Sequence, residues 1–164
     1  MTLEQFAYVG EIFAALSIVV SLIYVARQLG QNTTMMRASA GSERVQREYE
    51  ILAPLIQSRE LAEVWMKGET EFSSLEPVDQ TRLMFFERRA IVLWHHVFQL
   101  RQQDLLADAD WHEHTWIIQN IGRRQAIREA WRTFREGWEP AFQDFIDGQF
   151  AIADRAEATQ GTGG

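Results

Sequence analysis

Between Phe6 and Ala26 the chain carries one charge, Glu11, and its first basic residue is Arg27. About 20 residues rising about 1.5 Å each cover about 30 Å, the thickness of a bilayer's hydrocarbon core. Such a segment must be hidden across a membrane or inside a folded core. Counted from Ile12, it is short enough to be a buried core helix; counted whole, it predicts a transmembrane helix over 6–29. No Lys or Arg precedes it and no small-residue cleavage site follows it, so it reads as a retained anchor rather than a cleaved signal peptide. Arg27, Arg37, Arg44 and Arg47 follow shortly after, which by the positive-inside rule predicts a cytoplasmic C-terminal side and an N-terminus outside.

The span has an internal pattern. Ala7, Gly10, Ala14, Ser17, Ser21, Tyr24, Gln28 and Gln31 recur at alternating spacings of three and four and so lie on one stripe of a helix. In lipid, close packing of small residues and serine hydrogen bonds drive helix association. Gly10, Ala14, Ser17, Ser21, Gln28 and Gln31 are therefore read as a self-association seam, with membrane lipid and further copies of the chain as partners. A span containing Ala and Ser also produces such a stripe by chance. Glu11 lies off it and reads as a snorkelling or helix-start residue rather than a proton relay.

The remainder predicts helices. Among 164 residues there are only 3 Pro and 10 Gly, and 46% are hydrophobic, which leaves room for one compact, mainly helical domain. Zero Cys removes disulfides and thiolate chemistry, and a formal charge of −7 argues against nucleic acid as a partner. Gly30 followed by Gln31-Asn32-Thr33-Thr34 predicts a joint after the span. A second helix follows over 35–57, kinked or ended by Pro54. Ser58 is placed to cap a short helix ending at Gly68, 69–76 reads as a loop, and Pro77 opens a core helix to about Gln103. Asp108 or Asp110 is expected to cap the next helix, which bears Trp111, Trp116, Ile117 and Ile121. Further helices are expected over about 124–136 and from Pro140. The expected fold is all-α: a membrane helix, a helical bundle over 33–154 on the cytoplasmic side, and a disordered tail over 155–164.

The run Tyr24-Val25-Ala26-Arg27-Gln28-Leu29-Gly30-Gln31-Asn32-Thr33, then Met36-Arg37-Ala38-Ser39, resembles a group of uncharacterised bacterial proteins. These have one membrane helix, the same Gln-Asn-Thr junction and an all-helical cytoplasmic part. The likeness extends through Leu61-Ala62-Glu63-Val64-Trp65, the Pro77 helix, Leu105-Leu106 and the Trp131 region. It implies a bacterial inner-membrane protein and brings no activity with it.

Catalytic signatures are missing. His95, His96, His112 and His114 do not form His-Glu-x-x-His, and no Glu stands three residues before any of them. No phosphate loop, dinucleotide fingerprint or nucleophile elbow occurs, so neither enzymatic activity, cofactor nor metal is expected. Arg124, Arg128, Arg132 and Arg135 line one helix and read either as a stripe for anionic lipid or an acidic partner, or as charges paired within the fold. Trp111 and Trp138, beside chain breaks, are placed to sit at an interface, while the other Trp residues read as packing. The functional expectation is a self-associating scaffold or interaction module whose protein partner the sequence does not identify. The alternatives are a homo-oligomeric pore lined by Ser17, Ser21, Gln28 and Gln31, and a soluble bundle binding an apolar ligand.

Overall fold

The computed structural model describes residues Leu3–Gly161, and every regular element among them is helical. Six α-helices run in order: α1 (Leu3–Gln57), α2 (Arg59–Lys67), α3 (Pro77–Gln102), α4 (Asp108–Ile121), α5 (Gln125–Phe134) and α6 (Pro140–Gly161), with 3₁₀ turns at Phe72–Ser74 and Arg135–Gly137. The chain divides into two compact units, one up to Ser39 and one from Ala40 onward.

The joint expected at Gly30 does not form, since α1 is one helix of 55 residues. The cap-forming side chains after Gly30 turn back onto their own helix. Thr33 Oγ1 donates to Leu29 O and Thr34 Oγ1 to Gly30 O, each at 3.0 Å, so the groups expected to end the helix are absorbed by it. No glycine among the described residues has a positive φ, so Gly30 does not adopt the left-handed conformation that closes a helix. Pro54 does not end α1 at once either. Having no N–H, it leaves the Glu50 carbonyl without its helical donor, and Arg89 of α3 supplies one at 2.7 Å. The helix stops at Gln57, and Ser58 caps α2 by accepting from Leu61 N at 3.2 Å.

In the second unit α3 is central, packing against α2, α4 and α5, while α4 also packs on α6. One core cluster joins Ile91, Trp94 and Phe98 of α3 to Ile118, Ile127, Trp131, Phe142, Ile146 and Phe150. A second, around Leu61, Val64, Phe72, Leu83 and Phe86, seats α2 and the following turn against Ala126 of α5. There the backbone comes very close. A Cβ on Gly68 would meet Leu83 Cδ2 at 2.2 Å, which allows the Gly68 and Glu69 carbonyls to accept from Ala126 N and Gln125 N at 3.0 and 2.9 Å.

Three expectations change in detail. The segment 69–76 is not all loop, because Phe72 is buried by the 3₁₀ turn. Asp108 and Asp110 do not cap α4, whose cap position is Ala107; they bond Arg101 and Arg44 instead, while their charges favour the helix's positive end. The final helix continues past 154 to Gly161, where a disordered tail was expected. Ala151, Ala153, Ala156 and Ala158 favour helix, and Asp154 is held by Arg128 at 2.6 Å. Residues 162–164 of that tail lie outside the described residues.

Candidate functional site

The seam positions Gly10, Ala14, Ser17, Ser21, Gln28 and Gln31 are all exposed on α1. So is the apolar segment from Phe13 onward: its large apolar side chains up to Leu29 are between 48% and 66% exposed, and none of the apolar window is buried. A core helix requires burial that this segment does not have. The side chain of Ala7 lies outside the described ones. Ser17 Oγ donates to Phe13 O and Ser21 Oγ to Ser17 O, both at 2.8 Å, and Gln28 Nε2 donates to Tyr24 OH at 3.0 Å. The two serine donors are thus satisfied within the helix and need neither water nor a neighbouring chain, while the Gln28 amide uses one of its two N–H groups there. What the stripe offers a neighbour is mainly smallness. A Cβ at Gly10 would meet nothing within 4 Å, so the backbone there is open to approach.

The four arginines of the other stripe are engaged within the second unit. Arg124 is buried between Glu87 and Trp65. Arg128 donates to the Gly122 carbonyl and pairs with Asp154 at 2.6 Å, and its guanidinium lies 4.3 Å from the Phe150 ring centre. Arg132 pairs with Glu129 at 2.8 Å, and Arg135 grips Asp147 at 2.7 Å while Trp131 Nε1 donates to the same carboxylate at 2.7 Å. Each is paired with an acidic neighbour, while Arg128, Arg132 and Arg135 also line one shared groove. Trp111 stacks on Phe145 and Trp138 packs on His95 and Phe142, so both rings serve the core edge; Trp116 is the exposed one.

The histidines go to different places. His95 Nε2 bonds Glu139 at 2.8 Å, His112 is exposed, and His114 is buried on α4. Among the described residues no group of three His, Asp or Glu that could hold a metal ion forms.

Three buried ionisable groups, Arg44, Glu87 and His114, were not read as buried from the sequence. Glu87, read as part of a charged break in α3, faces inward. It stands four residues after Leu83 and four before Ile91, on the buried stripe, so its periodicity was the available signal. Burial pushes its carboxyl up to about 7, against the pull of Arg124 and of a hydrogen bond from Trp65. Burial lowers His114 to about 4; the Trp94 carbonyl opposes this and the Arg44 charge adds to it. Comparisons with family models, curated proteins and solved structures gave no match to this chain.

These two shifts act on stability in opposite senses. Glu87 holds its proton more tightly when folded, so its contribution is full below pH 4.5 and is lost as pH rises through about 7. His114 holds its proton less tightly when folded, so its contribution is full above pH 6.5 and is lost as pH falls through about 4. Each slope is at most about 1.4 kcal/mol per pH unit. Melting curves from pH 4.5 to 6.5 check this. Relative to the parent, Glu87→Gln should gain stability with rising pH, and His114→Phe should lose it. Parallel profiles in the two variants would contradict the assignment.

Proposed function

We propose that the chain is a single-span bacterial inner-membrane protein that self-associates through the Gly10 to Gln31 line and presents its second unit in the cytoplasm as an interaction module. The observation that carries this reading is the exposure of the apolar segment from Phe13 to Leu29. Ten large apolar side chains from Phe13 to Leu29 have no cover. At roughly 1 kcal/mol or more each, leaving them in water costs on the order of 10 kcal/mol, which a bilayer removes. Once the segment is in lipid, apolar burial no longer favours one helix pairing with another, and close backbone approach at small residues takes over.

Orientation rests on Arg27, Arg37, Arg44 and Arg47, all on one side of the span. A reporter active only in the periplasm, fused to the C-terminus, should be silent, and one active only in the cytoplasm should work. The reverse pattern would overturn the topology.

A further inference from the structure

A cavity of about 80 Å³ lies in the second unit between the end of α1, the middle of α3 and α4. Its wall is largely apolar, with Ile51, Leu93, Trp94, Val97, Ile117 and Ile121 among the lining side chains, and three polar residues join them: Arg44, Glu48 and His114. Two of these are out of place in an apolar wall. Arg44 is 8% exposed and His114 3% exposed, and each keeps one buried nitrogen, Arg44 Nε and His114 Nε2, without a hydrogen-bond partner. A buried polar atom left unpaired costs about 1–3 kcal/mol. Among the described residues Glu87 Oε1, His96 Nε2, Arg124 Nε and Trp138 Nε1 are also buried without a hydrogen-bond partner, but of all these residues only Arg44 and His114 line this cavity.

The two nitrogens ask for different things. Arg44 Nε carries a proton and requires an acceptor. His114 is neutral at pH 7 and faces the Trp94 carbonyl with its other nitrogen, which therefore holds the ring proton; Nε2 presents a lone pair and requires a donor. A hydroxyl is the small group that donates and accepts at once. Charge at the mouth narrows the choice further. Asp110 and Glu113 each approach Arg44 at 3.3 Å and Glu48 at 3.9 Å, so three carboxylates face one guanidinium and an anionic head is repelled. An ammonium head can donate to His114 but has nothing to offer the Arg44 N–H.

We propose that this cavity is a binding site for a short aliphatic alcohol, or for the hydroxyl end of an aliphatic molecule of that size, with the hydroxyl bridging Arg44 Nε and His114 Nε2 and the carbon chain against Trp94 and Ile117. The size agrees, since a cavity of about 150 Å³ takes a benzene ring and about 15 Å³ suffices for one water. The site is independent of the membrane reading, because every lining residue belongs to the second unit.

The test is a titration of full-length protein, ¹⁵N-labelled at histidine, with 1-butanol and with its isomer diethyl ether, following the His114 Nε2 resonance. The ether accepts a hydrogen bond but cannot donate one. The alcohol should move the resonance saturably while exposed His112 stays unchanged, and the ether should bind about tenfold more weakly. Ala90→Leu, which fills the wall and leaves both nitrogens in place, should remove the saturable shift. Shifts that grow linearly and equally at His112 and His114, equal affinity for the two isomers, or undiminished binding by Ala90→Leu would each overturn the proposal and leave the cavity to water. The comparison of the isomers needs only the parent protein, so a variant that fails to fold does not prevent a decision.

Discussion

Replacing Arg124 with Ala should lower the stability of the second unit by about 3–5 kcal/mol, the loss that follows when one partner of a buried ion pair is removed. Arg124 has three engagements at once. Its Nη2 lies 3.4 Å from Glu87 Oε1, it donates to the Trp65 carbonyl at 2.6 Å, and its guanidinium lies 3.4 Å from the Trp65 ring centre. Both charged side chains are at most 5% exposed. Without the arginine, the α2 carbonyl loses its donor and Glu87 must either keep an uncompensated charge or stay protonated. The cost is a desolvation cost, so it should be recoverable: Arg124→Met combined with Glu87→Leu should restore most of the stability, since apolar residues of similar volume often replace buried pairs without loss. Denaturant unfolding followed by near-ultraviolet circular dichroism of the tryptophans measures both. A loss under 1 kcal/mol for Arg124→Ala, or a double variant no better than that single one, would remove the pair from the centre of the fold.

The second large effect is on association. Ala14→Leu with Ser17→Leu keeps the span hydrophobic but adds bulk where backbones must approach, so in detergent the protein should shift from oligomer toward monomer by light scattering. Substitutions at Ile18 or Leu22, off the stripe, should leave the mass unchanged. Because Ser17 and Ser21 already donate to carbonyls of their own helix, the effect should come from size rather than from lost serine hydrogen bonds. Ser17→Ala should accordingly be nearly silent. If the double Leu variant keeps the parent mass, the seam is elsewhere.

The helical course of the chain was legible where local signals were strong. Ser58 and Gly68 bracket α2, Pro77 opens α3, and Pro140 opens α6, as their backbone chemistry dictates. The signals failed where a group had two uses. Thr33 and Thr34 are cap formers in an unfolded comparison, yet in a continuous helix their hydroxyls reach the preceding turn, so the expected joint became helix. Pro54 was legible as a breaker, but Arg89, 35 positions away, supplies the missing donor, and no local pattern announces that. The long apolar helical segment was visible from its lack of charge alone. Glu87, Arg44 and His114 were not recognised, because a charged or polar residue on an apolar stripe looks like an interruption until its partners from other helices are known.

The central claim is that the apolar part of α1 lies in a bilayer, and alkaline carbonate extraction of cell membranes containing the full chain tests it most directly. An inserted span resists the loss of surface electrostatics, so the protein should stay in the membrane pellet and leave it only with detergent. Release into the supernatant by carbonate alone would contradict the account and return the apolar helix to an association in water.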